Sequence, residues 1–206
     1  LSTITRHDIL NQVTSIRAYA YLAGQTDDSE EISRYMERIQ KQSRVIEDMI
    51  AFSRDYHALG INESSWQNLK KVIQDSVIVP FGDKISLTEE GTDVEILADP
   101  LLIKVFFNLA DNSLSHGGPR GEKIHISFSS EGGAGKITFR DEGSGVPDDE
   151  KEVIFTQGYG TKTGLGLFLI REILAISGIS ITETGRYGEG VCFEILIPAE
   201  QFTVPS

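Results

Sequence analysis

Across residues 1 to about 58 the chain holds one glycine, Gly24, and no proline, whereas seventeen of its 20 glycines lie beyond residue 90. Little in the first stretch interrupts a helix, and much in the second demands turns. A chain divided this way folds as long helix first and as a turn-rich layered structure afterwards.

In the later part of the glycine-poor stretch Ile32, Ile39 and Ile46 recur every seven residues, with Met36 and Ile50 one turn away. That spacing predicts a helix with a bundle-like seam. Upstream, Ile9, Leu10, Val13, Ile16, Ala20 and the Tyr21-Leu22 pair fit a second amphipathic helix. Residues 24–28 supply the stop, with Asp28 or Ser29 as N-cap and acidic residues in the following turn. The expectation is an antiparallel helical hairpin over residues 1–60. A hairpin alone buries too little apolar surface, so two of them pairing into a four-helix dimer is the economical arrangement. Packing of the hairpin on the rest of its own chain is the alternative.

From Trp66 onward, short β-type runs at 85–88, 94–97, 124–129, 136–140, 179–184 and 191–197 alternate with helical stretches near 69–79, 100–115 and 166–176. Asp99-Pro100 reads as a helix start, with Asp as cap and Pro at the first helical position. Glycine-rich links after Glu131 and Gly185 are hairpin signals, so the sheet should be antiparallel or mixed, with helices on one face. The fold class expected is α+β, with a second unit spanning 61–206.

Composition narrows the partners. Nineteen basic against 31 acidic residues give −12, which argues against nucleic acid as a ligand. Residues 1–60 carry 7 basic and 9 acidic groups, leaving 12 and 22 for the rest. So acidic a unit would hold a polyanion through a metal or through backbone N–H groups. One cysteine, Cys192, excludes a disulfide framework and a cysteine zinc site and points to a reducing, cytoplasmic setting. No apolar run reaches the roughly 18 residues of a membrane span, and no secretory pattern opens the chain. It starts without Met in what reads as mid-helix, as a fragment would, so any membrane attachment would come through a segment absent here.

Four constellations carry chemistry. In Arg6-His7-Asp8-Ile9-Leu10-Asn11-Gln12, a helix puts His7 and Asn11 at i and i+4. A neutral imidazole nitrogen is nucleophilic near neutral pH; a carboxylate beside it can hold the other nitrogen, and an amide one turn away can orient a water. A lone histidine on a polar helix face can equally be inert. Asn108 and Asn112 share one face of an otherwise apolar helix, where amides are costly unless they meet a ligand such as magnesium. Asp141-Glu-Gly143-Ser-Gly145 follows an apolar strand, so that its carboxylate could receive the exocyclic amine of adenine, although a tight turn explains the glycines as well. Finally, Gly158-Tyr-Gly160-Thr-Lys162-Thr-Gly164-Leu165-Gly166 runs straight into an apolar helix, a place for phosphates or a flexible lid, with Lys162 its only cation.

These motifs, in this order, resemble the catalytic core of a two-component sensor histidine kinase: a phosphoacceptor hairpin followed by an ATP-binding unit of the gyrase, Hsp90, kinase and MutL type. Asn108 and Asn112 match its asparagine box, Asp141, Gly143 and Gly145 the first glycine box, Phe155 the phenylalanine box, and Gly164-Leu165-Gly166 the second glycine box. The resemblance implies a two-layer α/β sandwich for 61–206 and a homodimer through the hairpin. It implies that His7 accepts the γ-phosphoryl group of ATP with Asp8 as base, and that Asn11 acts in dephosphorylating a response-regulator receiver domain. It implies magnesium on Asn112 with Asn108 nearby, adenine on Asp141, and phosphates against Gly164, Leu165 and Gly166. Many members carry a basic residue where this chain has Ser115, so phosphate neutralisation would fall on magnesium, His116 or Lys162. An anti-sigma type serine/threonine kinase, or a phosphorelay scaffold without catalysis, are the competing readings.

Overall fold

The computed structural model describes residues 2–160 and 163–205. Helices α1 (Ser2–Ala23) and α2 (Ser29–Ala58) form the hairpin. Asp28 is its N-cap, accepting from the amides of Glu30 and Glu31 at 2.8 and 3.4 Å. The two helices run antiparallel, since Tyr19 near the end of α1 stacks on Tyr35 near the start of α2, with Arg38 above the Tyr19 ring. Ile32, Ile39 and Ile46 are half-buried in this seam, while Leu10, Met36 and Ile50 are exposed. Only Met49, Phe52 and Asp55 of α2 are buried.

After β1 (Ser65–Asn68), α3 (Leu69–Ile73) passes through a π-helical stretch, Gln74–Ile78, into α4 (Val79–Phe81). The helix expected over 69–79 is therefore present but widened, with Ser76 Oγ donating back to the Val72 carbonyl at 2.6 Å. Strands β2 (Ser86–Glu90) and β3 (Glu95–Ala98) lead to α5 (Leu102–His116). This helix begins two residues later than Asp99-Pro100 suggests. The Asp99 carboxylate accepts from the Leu101 amide at 2.8 Å, forming a turn ahead of the helix rather than its cap. Then follow β4 (Lys123–Glu131), β5 (Ala134–Asp141), α6 (Gly166–Ile176), β6 (Ser180–Glu183), β7 (Cys192–Ile197) and β8 (Phe202–Thr203).

The main sheet has the order β2-β4-β5-β7-β6, parallel between β2 and β4 and antiparallel elsewhere. A small antiparallel sheet, β1-β3-β8, adds two strands, β1 and β8, that hydropathy does not reveal. Period-two alternation sends Ile126, Ile137, Phe139, Phe193 and Ile195 inward, into one cluster with Ile73, Phe106, Leu109 and Ile170 of the helices. The other sheet face shows Ser129, Thr182 and Leu196 to solvent. One covered face makes the unit a two-layer α+β sandwich. Among the described residues no helix is long and apolar enough to cross a membrane.

The hairpin touches this sandwich near its own end. Phe52 and Tyr56 of α2 lie 6.2 and 6.1 Å from Phe168 of α6, and buried Asp55 pairs with Lys104 of α5 at 3.1 Å. The joining segment is tied down by the Gly60 amide, which donates to Asp99 Oδ2 at 3.2 Å.

Candidate functional site

A cavity of about 1170 Å³ opens between α2, α5, α6 and the loops that follow β5. Asn108, Asn112 and His116 reach it from α5, Asp141 and Gly145 from the end of β5, and Gly164, Leu165 and Gly166 from the start of α6. Three sequence motifs, at 108–116, 141–145 and 164–166, thus meet on one surface. Gln40, Lys41, Arg44 and Val45 of α2 supply a fourth wall. The sequence offered no signal for that wall, because it depends on how the hairpin docks.

Asp141 is buried at the end of β5 with Oδ1 accepting from the amides of Gly143 at 2.9 Å and Val191 at 3.1 Å. Two donors on one oxygen fix the direction of the carboxylate. The glycines around it are dictated by backbone crowding. A Cβ on Gly143 would stand 2.6 Å from the Gly117 Cα, at the end of α5. Gly145 adopts φ +69° with the carbonyls of Arg186 and Gly190 at 2.7 and 2.8 Å from a Cβ position. Gly143 is therefore behind the carboxylate and not on the cavity wall.

On α5, Asn108 turns its amide nitrogen to the Lys104 carbonyl at 2.8 Å, and its Oδ1 stands 3.5 Å from the position of a Cβ on Gly166. Asn112, one turn on, is half-buried against the cavity. His116 is exposed, and its carbonyl accepts from Ser144 Oγ at 3.3 Å. Among the described residues no three His, Cys, Asp or Glu side chains converge to cage a metal ion. A hard cation here would rest on one amide oxygen, water and whatever anion the cavity holds, the coordination magnesium favours.

The glycine-rich stretch closes on itself: the Gly158 amide donates to the Gly164 carbonyl at 3.0 Å. Gly164, at φ +62°, lies so close to Tyr159 that a Cβ would meet its carbonyl oxygen at 2.5 Å. Tyr159 is anchored in turn by a hydrogen bond to Glu150, which raises its hydroxyl above the ordinary tyrosine value. Leu165 is buried and carries the first turn of α6, whose opening amides have no intrahelical partner. Lys162 lies outside the described residues. Phe155 is fully buried beneath Arg171, whose guanidinium stands 4.4 Å from its ring centre, so it belongs to the core.

His7, Asp8 and Asn11 form a separate cluster on α1. The His7 side chain is 74% exposed, with Nδ1 at 3.3 Å from Asp8 Oδ1 and 3.2 Å from the Asn11 amide nitrogen. Nδ1 serves one of these at a time: protonated, it donates to Asp8; unprotonated, it accepts from Asn11. Both engage the same nitrogen, Nδ1. His7 is not among the described residues that line the cavity.

The family described as Histidine kinase-, DNA gyrase B-, and HSP90-like ATPase matches residues 98–201. Sensor histidine kinase ZraS of Escherichia coli O157:H7 is 29% identical over 205 residues, which cover 93% of this chain and 44% of that protein. The chain thus spans less than half the length of that curated relative. Among solved structures, histidine kinase ThkA in complex with response regulator protein TrrA aligns with a TM-score of 0.72 at 23% identity, over 96% of this chain and 60% of that one. Full-length ShkA in complex with AMPPNP aligns at 0.64 and 19% identity, over 100% of this chain and 46% of the other.

Proposed function

Because the chain belongs to the histidine kinase-, DNA gyrase B- and HSP90-like ATPase family, as the catalytic core of a two-component sensor histidine kinase, we propose that it phosphorylates itself on His7 from ATP. The phosphoryl group then passes to an aspartate of a response-regulator receiver domain, on which the hairpin also acts as a phosphatase. In this reading residues 1–60 dimerise and transfer, and residues 61–206 bind nucleotide, on the cytoplasmic side of any sensor upstream. The carrying observation is the division of labour in the geometry. An exposed imidazole is engaged at Nδ1 by its neighbours on α1, and a separate cavity joins a buried carboxylate, two amides and a helix N-terminus.

At the cavity Asp141 uses Oδ1 for the Gly143 and Val191 amides, leaving Oδ2 to accept the exocyclic amine of adenine. The first amides of α6, at Leu165 and Gly166, face the phosphates, where the helix dipole favours negative charge. Asn112 would hold magnesium through its amide oxygen, with Asn108 nearby, and the ion supplies charge neutralisation along the phosphates. The rest of the phosphate neutralisation would fall on His116 or Lys162.

At the hairpin His7 Nε2 attacks the γ-phosphorus in line; the bond from phosphorus to the bridging oxygen breaks, and ADP departs with that electron pair. Asp8 holds the Nδ1 proton and offsets the positive charge that develops on the ring. Asn11, one turn away, orients the water that hydrolyses the regulator's aspartyl phosphate. Since His7 lies off the cavity wall, the joining residues 58–63 act as the hinge that brings the two together. Exposed Leu10, Met36 and Ile50 support pairing of two hairpins, and the ThkA–TrrA complex supports a receiver-domain partner.

The test is incubation with γ-labelled ATP and magnesium, followed by acid and alkali treatment. Label that is lost in acid, kept in alkali and absent from His7→Gln, with ATP affinity in that variant within about twofold of the wild type, is the expected result. Acid-stable label would favour the serine/threonine kinase reading, and nucleotide binding without label the scaffold.

A further inference from the structure

Behind the wall that carries Asp141 lies an acid–base pair, a buried Glu183 and a half-buried Lys151, with no part in the scheme above. Glu183 ends β6 with a side chain wholly shielded from solvent. Its Oε1 accepts from the amides of Gly185 at 2.9 Å and Cys192 at 3.0 Å. Among the described residues its Oε2 has no hydrogen-bond partner; the nearest cation, Lys151 Nζ, stands 3.6 Å away. That ammonium donates to the Gly185 carbonyl at 2.6 Å and pairs with Asp148 at 2.8 Å. The hydrogen bond to Asp148 and the charge of Glu183 raise the Lys151 ammonium above the ordinary lysine value.

Gly185 is therefore gripped at both its amide and its carbonyl, and it opens the loop 185–190. The far end of that loop lies on Asp141: a Cβ at Gly190 would overlap the Asp141 carbonyl, and Gly145 packs against the carbonyls of Arg186 and Gly190. The coupling is direct in the strand as well. Glu183 holds the amide of Cys192, and Asp141 holds the amide of its neighbour Val191. Two buried carboxylates thus bind consecutive N–H groups at the entry to β7. A charge at an inward position of a sheet is costly to desolvate, and here its bonds tie the start of that loop to the first residue of β7.

We propose that Lys151 and Glu183 are positioning residues for Asp141: together they lock residues 185–192 so that Asp141 Oδ1 stays on the Val191 amide and Oδ2 stays aimed at the base. The proposal rests on the adenine role given to Asp141 above. It separates binding of the phosphates, which the pair does not touch, from recognition of the 6-amino group, which it governs.

The experiment titrates magnesium-ATP and magnesium purine riboside 5′-triphosphate, which lacks the 6-amino group, onto the whole 206-residue chain. The wild type should prefer ATP by about tenfold or more, since a buried acceptor left unpaired penalises the analogue. Lys151→Met combined with Glu183→Gln, which removes the buried charge and its cation together and leaves only the exposed Asp148 unpaired, should lose most of that preference while binding the analogue within about twofold. Lys151→Arg, able to reach the same acceptors, should restore it. Equal weakening of both nucleotides, or an undiminished preference in the folded double variant, overturns the proposal. Should the double variant give no cooperative melt, Glu183→Gln alone, which keeps an acceptor for both amides but not the ion pair, decides by the same ratio. Asp141→Asn separates the two layers of inference. If it too leaves the preference intact, the adenine reading falls and this proposal with it; if it abolishes the preference while the Lys151 and Glu183 variants do not, only this proposal falls.

Discussion

Phe139 in β5 and Ile50 in α2 are both large apolar residues on regular elements, yet Phe139 is wholly buried and Ile50 is 57% exposed. The contrast holds for their surroundings. The sandwich sends the inward residues of five strands onto α5 and α6 and completes its core within one chain. The hairpin leaves Leu10, Met36 and Ile50 uncovered and buries residues of α2 only where it meets the sandwich. One region is an object in itself, and the other presents an uncovered apolar face. The nucleotide chemistry proposed for the first needs a rigid cradle, and the transfer chemistry proposed for the second needs a histidine that several partners can approach.

The sharpest probe of the comparison pairs two truncations. Phe139→Ala should destabilise the sandwich by about 3–5 kcal/mol, read from denaturant midpoints. Ile50→Ala should change the stability of a single chain by no more than about 0.5 kcal/mol while weakening self-association, read by sedimentation. Unchanged self-association would mean that this face of the hairpin pairs with nothing. Next in size is Asp141→Asn, which should weaken ATP binding by about 100-fold, the loss of a charged acceptor from a buried site; full affinity would remove the base-reading role. Asn11→Ala should slow dephosphorylation of a receiver domain by about tenfold or more with autophosphorylation intact. Equal loss of both activities would make Asn11 a structural residue of α1. Smallest is Asp28→Ala, which removes the N-cap of α2. It should lower stability by about 1 kcal/mol without touching ATP affinity, and any larger effect on labelling would show that the turn of the hairpin sets the approach of His7.

Much of this was legible in the residues, for reasons that differ from element to element. The seven-residue recurrence of Ile32, Ile39 and Ile46 and the capping chemistry of Asp28 are local, and both reappear in α2. The alternation in β4, β5 and β7 is local too, so those strands were read to within two or three residues. The small sheet was missed because β1 and β8 are short and take their pairing from β3 rather than from their own pattern. The helix start at Asp99-Pro100 was misread because the Asp99 carboxylate forms a turn with Leu101 and also takes the Gly60 amide from the end of the hairpin. Glu183 did leave a trace, since Ile179, Ile181 and Glu183 share the inward phase of β6 and the last of them is charged. An acid in an inward register is a question the sequence raises and only its partner, Lys151, can answer.

What the sequence by itself determined is the set of groups whose chemistry is local: His7 with Asp8 and Asn11 on one helical surface, a glycine-rich entry to α6, and a carboxylate at the end of an apolar strand. Helical and strand periods act over a few residues and write themselves into the chain. What only the tertiary structure decided is which of these groups meet. Asn112, Asp141 and Gly166 share a wall while His7 stands apart, α2 lends a side to the cavity, and Lys151 and Glu183 hold the strand behind Asp141. Those contacts join residues far apart in sequence, and the packing that selects them is a property of the whole buried core.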